Sequence, residues 1–268
     1  MSDFVRVEKP RPHVALVTLD RPERMNAMAF DVMVPLRETL ESVAVDNDVR
    51  VVVLTGAGRA FCAGADLVDA GYPPGIDGLA LPSIGRRSMK LLEDVVTTLR
   101  ELPQVVVAAV NGPAIGGGFC LALACDIRLA SESAYFRAAG INNGLTASEL
   151  GLSYLLPRAI GASRAAEIML TGRDVDAAEA AAVGLVSRTV PEGSLLEECF
   201  AVADRVAGYS HVGVQLTKQT LRSGLEAGSF SSHMEHEGLA QLYVRLLSRN
   251  FEEAITARKQ GRDPVFEA

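Results

Sequence analysis

Two short runs of small residues carry the backbone chemistry this sequence can offer. Ala114-Ile115-Gly116-Gly117-Gly118-Phe119 follows the apolar stretch Val105–Val110 and opens a second apolar stretch through Ala124. Three consecutive glycines let another group approach the backbone closely. A helix start adds unpaired N–H donors at the positive end of its dipole. That combination suits phosphate, carboxylate or an oxyanion developing during a reaction. The same glycines would equally serve a tight strand-to-helix turn. Ala60-Phe61-Cys62-Ala63-Gly64-Ala65-Asp66-Leu67 lies beyond another apolar stretch, and Asp66 there could cap a following helix. Two such turns after two buried strands can open together at one sheet edge, where α/β proteins bind ligands.

Other candidates point to less. His233 and His236 stand three apart on helical spacing with no third ligand nearby, so no metal site is expected. Asp126 reads as a structural turn acceptor. Gly56-Ala57-Gly58-Arg59 has neither dinucleotide nor P-loop spacing, and no G-x-S-x-G elbow occurs. Cys62, Cys120, Cys125 and Cys199 form no CxxC pair, and residues 1–4 lack signal-peptide character. Reduced thiols in a cytoplasmic protein are the expectation.

The elements that must position these runs follow from periodicity. Val14–Leu19, Val49–Thr55 and Val105–Val110 read as strands. The last two are nearly all apolar, which predicts cover on both faces. Phe30–Val45 has helical spacing with Asp31 in its first turn. A Gly/Pro-rich loop from Gly71 to Pro82 precedes a helix over Ile84–Leu102. Shorter strands are expected at Ile127–Ala130, Tyr135–Ala138 and Leu185–Val190. Helices dominate from Glu149 on, including Val214–Leu225 and Leu239–Leu247. The class is therefore α/β: a core over residues 1–205 and a helical region over 206–268, whose apolar surface is more than a short appendage can hide.

At 268 residues and 49% apolar content the chain can bury a core without disulfide or metal staples. Its net charge of −7 disfavours nucleic acid and anionic membranes as partners. The longest apolar runs fall far short of the ~20 residues that span a bilayer.

Taken together, Val14–Leu19 with Asp20-Arg21-Pro22-Glu23-Arg24-Met25-Asn26-Ala27, then Phe61–Leu67, Asn111–Gly118 and Cys125-Asp126-Ile127-Arg128, resemble the enoyl-CoA hydratase/isomerase (crotonase) family. Leu170-Thr171-Gly172 with Ala177–Val186, and the tail from Phe251 to Phe266, are similar too, so the resemblance spans nearly the whole chain in order. It implies a spiral of ββα units with a C-terminal helical trimerisation region, assembled as a trimer or a dimer of trimers. It implies that the Ala63 and Gly117 N–H groups hold the oxygen of an acyl-CoA thioester while its enolate forms. Met25, Ala27, Gly64, Ala65, Asp66, Leu67, Gly116 and Gly118 would then line the CoA groove. No metal or other cofactor is implied, coenzyme A being part of the substrate.

The chain departs from the family at the two glutamates that hydratases use on water. Cys120 and Gly140 stand at those places, and both are expected only to line the pocket. Glu149 matches a working aspartate of the family's 4-chlorobenzoyl-CoA dehalogenase branch, one position after a working carboxylate of the dienoyl-CoA isomerase branch, and is the candidate acid/base. As a helix-start residue it would equally favour the dipole. The expected activity is that of an enoyl-CoA hydratase or isomerase. Hydrolase or dehalogenase chemistry, or a silent acyl-CoA-binding subunit, stand as alternatives.

Overall fold

The protein is described here by a computed structural model covering residues 4–267. Met1, Ser2 and Asp3, within the stretch without signal-peptide character, lie outside the described residues. In chain order the elements are β1 Val5–Arg11, β2 Val14–Leu19, α1 Phe30–Ala44, β3 Val51–Gly56, α2 Leu81–Glu101, β4 Val105–Val110, β5 Ala114–Ile115, α3 Gly117–Ala124, β6 Ile127–Ser131 and β7 Tyr135–Arg137. There follow α4 Leu152–Ile160, α5 Ala162–Thr171, β8 Asp174–Asp176, α6 Ala177–Ala182, β9 Arg188–Val190, α7 Leu195–Ala207, α8 His211–Gly224, α9 Phe230–Leu247 and α10 Asn250–Gln260.

A six-stranded sheet ordered β1-β2-β3-β4-β6-β9 is parallel from β2 onward, and a small sheet β5-β7-β8 stands beside it. All six residues of both β3 and β4 are buried. Alternate side chains explain why: Val52, Leu54, Val106 and Ala108 pack with α1, α2 and α3, while Val51, Val53, Val105 and Val107 pack with α7. A strand covered on both faces has no reason to alternate with polar residues.

The expected elements form with shifted ends. β3 starts at Val51, because the Arg50 and Val51 N–H groups first bind the His13 carbonyl. Pro82 sits in the first turn of α2, where proline is pre-organised for helix, so that helix begins at Leu81 instead of Ile84. Only Arg188–Val190 of the Leu185–Val190 run pairs as strand. β1, β5 and β8 carry no apolar pattern of their own, and only their partner strands define them. α7 ends at Ala207, two residues beyond the boundary read at 205.

The last helices behave differently. α8 buries one residue, Lys218, and α9 buries none. Lys218 and Arg222 both reach Asp126, at 2.7 and 2.6 Å, and the Lys218 ammonium also donates to the Gln104 carbonyl. Asp126 is thus the ionic anchor of α8 to the sheet, beyond the turn acceptor expected of it. It also accepts the Val106 N–H.

Candidate active site

The two small-residue turns meet. A parallel bridge joins Cys62 to Ala114, with the Ile115 N–H donating to the Cys62 carbonyl at 3.0 Å. The approach tolerates no side chain at two points. A Cβ at position 118 would lie 2.1 Å from the Cys62 carbonyl oxygen, and one at position 64 only 2.6 Å from that of Ile115. Gly64 further needs its left-handed backbone, φ +81°. These glycines are there to bring the segment after β3 against the start of α3, not to make an ordinary turn.

Hydrogen bonding then decides which amides remain to bind a ligand. The Ala63 N–H is spent on the Met25 carbonyl at 3.0 Å. Met25 adopts φ +52°, which turns that carbonyl onto the turn, and nothing in the residue types of the sequence discloses it. Gly64 N–H faces the Cys62 sulfur, and Asp66 N–H binds the Met28 carbonyl at 3.2 Å. Ala65 bridges to Met28 in parallel, a pairing made through Gly64 and Asp66 that leaves its own N–H free. The Gly117 N–H is free as well, since the first bond of α3 runs from Cys120 to Gly116. Ala63, expected as a donor, therefore gives way to its neighbour but one. Among the described residues the open pair is Ala65 and Gly117.

Asp66 caps no helix, because none follows before α2. Its carboxylate instead binds the Val68 and Asp69 N–H groups and the guanidinium groups of Arg21 and Arg24. Burial opposes the charge, yet those N–H groups and Arg24 outweigh it and hold the carboxyl at about 2. Its side chain is thus committed within the protein, as its N–H is to the Met28 carbonyl. Leu67 is exposed beside it, Ala27 is buried, and the Met25 sulfur meets the Arg59 guanidinium at 3.4 Å.

The two altered glutamate positions are closed. The Cys120 thiol is fully buried and directed at the carbonyls of Gly116 (3.3 Å) and Glu149 (3.4 Å). Burial first, then the nearby Glu149 charge, pushes its pKa well up, leaving an inert thiol. At position 140 a Cβ would lie 2.0 Å from the Thr146 carbonyl oxygen, so no side chain fits. Gly140 shapes the following turn and lends nothing else.

Glu149 is the carboxylate that reaches the glycines: its Oε1 lies 3.3 Å from where a Cβ on Gly116 would stand. It is not a helix-start residue, since α4 begins at Leu152 behind Gly151 and no side-chain cap is made. Leu150 (φ +44°) and Gly151 (φ +84°) both take left-handed backbone and reverse the chain immediately after it. The carboxyl has no hydrogen bond or ion pair among the described residues, and burial raises its pKa above the usual carboxylate value. The Met28 sulfur and the Leu150 side chain close over Gly117, at 2.1 and 3.3 Å from a Cβ built there. Neither was legible beforehand, because an apolar residue near a turn has no distinguishing spacing.

Among the described residues no three His, Cys, Asp or Glu side chains could share a metal ion, and His233 instead meets Glu237 at 3.4 Å. No helix is long and apolar enough to cross a membrane.

Residues 10–268 match the family model described as enoyl-CoA hydratase/isomerase. The chain is 67% identical over 263 residues to a probable enoyl-CoA hydratase of Mycobacterium tuberculosis, covering 98% of this chain and 92% of that one. Its fold superposes on the crystal structure of a probable enoyl-CoA hydratase/isomerase from Mycobacterium abscessus with a TM-score of 0.94 at 64% identity, covering 99% of both chains. A monofunctional enoyl CoA isomerase from M. smegmatis is 61% identical with a TM-score of 0.74, over 86% of this chain and 98% of that one. The mixed α/β architecture, the two apposed turns and the family match agree, and this chain belongs to the enoyl-CoA hydratase/isomerase family of enzymes.

Proposed function

We propose that the protein is an enoyl-CoA double-bond isomerase working with one carboxylate. The thioester oxygen binds between the Ala65 and Gly117 N–H groups, where fixed donors stabilise enolate charge without reorganising. Glu149 takes a proton from the α-carbon. The electron pair spreads over the thioester oxygen and the adjacent double bond, and the protonated Glu149 returns its proton at the γ-carbon. The double bond moves by one position and nothing is added or lost. A raised carboxyl pKa brings the base closer to the acidity of that carbon.

One observation supports isomerisation over hydration. Hydration needs a water held by carboxylates, and here one position admits no side chain while the other holds a thiol turned toward two carbonyls. Hydrolase and dehalogenase readings would also use Glu149, but isomerisation alone needs no water or second group. That the M. smegmatis relative is a monofunctional enoyl CoA isomerase is consistent with this reading.

The remaining assignments belong to the same proposal. CoA enters as part of the substrate and no further cofactor takes part. The exposed apolar surface of α8 and α9, in residues 206–268, joins copies of the chain as a homotrimer or a dimer of trimers, and the protein works in the cytoplasm.

Incubating a 3-enoyl-CoA in deuterated water tests the activity. The expected product is the 2-enoyl isomer, with loss of turnover in Glu149→Gln. Conversion of a 2-enoyl-CoA to the hydrated product at a comparable rate would overturn the reading.

A further inference from the structure

The turn Gly56-Ala57-Gly58-Arg59, which fits neither dinucleotide nor P-loop spacing, packs against a buried amide. Asn26 is fully buried, and both polar atoms of its side chain are engaged. Its Oδ1 accepts the Arg21 N–H at 2.9 Å. Its Nδ2 donates to the Ala57 carbonyl at 2.9 Å and to the Ala60 carbonyl at 2.8 Å. The fit is so close that a Cβ at Gly56 would lie 2.6 Å from that Nδ2. One orientation of the amide serves; reversed, it would set oxygen against two carbonyl oxygens.

Asn26 and Met25 are also a strained pair. Both take left-handed backbone, φ +56° and +52°, which asparagine tolerates and methionine rarely adopts. Such a conformation persists only where its surroundings over-determine it. Here the Met25 and Asn26 N–H groups bind the Pro22 and Arg21 carbonyls, and the carboxamide ties the pair to the neighbouring turn. The result is the aim of the Met25 carbonyl, which accepts the Ala63 N–H at 3.0 Å. Three residues on, Met28 grips both neighbours of Ala65, donating to Gly64 at 2.7 Å and accepting from Asp66 at 3.2 Å. Arg21 and Arg24 add their ion pairs to Asp66. Residues 21–28 are thus a template for 57–66, with the Asn26 amide fixed at its centre.

We infer that Asn26 is a positioning residue for the donors of the thioester oxygen. It holds the Met25 carbonyl on the Ala63 N–H and so leaves the Ala65 N–H turned to the substrate. The inference rests on the donor pair Ala65 and Gly117 proposed above. Asn111 supplies the informative contrast. It clamps the same turn, donating to the Gly58 carbonyl at 2.9 Å and accepting the Gly56 N–H at 3.3 Å. Among the described residues it forms no hydrogen bond to 21–28. Loss of Asn111 loosens the turn alone, whereas loss of Asn26 loosens the turn and releases Met25.

The carbonyl stretching frequency of a 2-enoyl-CoA bound to the full chain, read by Raman difference spectroscopy, reports the donors without requiring turnover. Hydrogen bonds from fixed donors lower it. Asn26→Asp keeps the acceptor and the shape but places oxygen against two carbonyls. Asn26→Gly removes the amide while taking the left-handed φ without strain. In either variant, at least half of the wild-type frequency shift should be lost. At saturating 3-enoyl-CoA, kcat should fall at least tenfold, with KM within threefold of wild type. Asn111→Ala should lower the melting temperature comparably while keeping the shift and kcat near wild type. Equal losses of shift in Asn111→Ala and the Asn26 variants, an unchanged shift in a folded Asn26 variant, or failure of both Asn26 variants to fold would overturn the inference and make Asn26 a prop of the fold. A wild-type complex with no shift from the free thioester would sink the donor pair itself, and this inference with it.

Discussion

Two helices of this chain, α3 and α9, have been given opposite surroundings. All eight residues of α3 are buried, and Gly118 in its first turn is a glycine because backbone presses on backbone there. None of the eighteen residues of α9 is buried, and Leu239, Leu242, Leu246 and Leu247 are more than half exposed. One helix is fixed by its own chain to within a methyl group; the other presents apolar residues that its own chain leaves uncovered. Chemistry that depends on placing a donor to a fraction of an ångström belongs on the first kind, and surfaces shared with something else belong on the second.

The largest expected effect falls on the group that α3 faces. Glu149→Gln removes the proposed base and should lower isomerase kcat by about 10²–10⁴-fold. It should do so without loss of folding, because the ionised carboxylate is a cost in the native state. The sign follows from its raised pKa. The folded form holds the proton more tightly than the unfolded form, so the ionised group lowers stability as pH rises from the unfolded carboxylate value through the folded one. At pH 7, Glu149→Gln should therefore melt no lower than wild type, while in wild type kcat/KM should fall on the acidic side through a pKa raised by burial above the usual carboxylate value. A variant that loses activity and stability together would make Glu149 a structural residue.

Next in size is a methyl group placed where α3 touches Cys62. Gly118→Ala puts a Cβ 2.1 Å from a backbone oxygen that cannot swing away, and should destabilise the fold by about 3 kcal/mol, read as a lower denaturant midpoint. Gly117→Ala meets the movable Met28 sulfur instead. It should cost less stability but crowd the donor, so kcat falls further than the melting temperature suggests. If the two variants lose stability equally, the packing assigned to this corner is wrong.

How far such effects could be read from residue order differs between the two regions for the same reason. The strands β2, β3 and β4 announce themselves, because burial on both faces requires apolar residues throughout. The glycines at 64, 116, 117 and 118 and the carboxylate at 149 are legible because each needs its residue type. Donor assignment was not. Whether Ala63 or Ala65 offers its N–H turns on the left-handed φ of Met25, a conformation that methionine does not signal. Met28 and Leu150 escaped notice because their work is to occupy space. Asp126 looked like a turn residue because its partners, Lys218 and Arg222, lie about ninety positions away.

Moderate effects are expected where α9 faces outward. Leu242→Glu with Leu246→Glu places charge on the exposed apolar stripe. Sedimentation should show dissociation to single chains if copies meet there, with little change in helical content, since neither side chain is buried by its own chain. An assembly unchanged in size would move the contact away from α9.

The smallest effect is also the sharpest contrast with α3. Gly238 lies inside α9, and a Cβ built on it meets nothing within 4 Å. Glycine costs an exposed helix interior roughly 0.5–1 kcal/mol relative to alanine. Gly238→Ala should therefore raise stability by about that amount, while the same substitution at Gly118 lowers it. The sign at 238 is informative in itself. A gain in both the assembled protein and the dissociated double variant means that solvent faces this position in each. A loss confined to the assembled protein means that a second chain packs within a methyl group of Gly238, which would extend the contact surface along α9 toward its first turns. Denaturant midpoints of the two alanine variants, measured in both backgrounds, separate these cases.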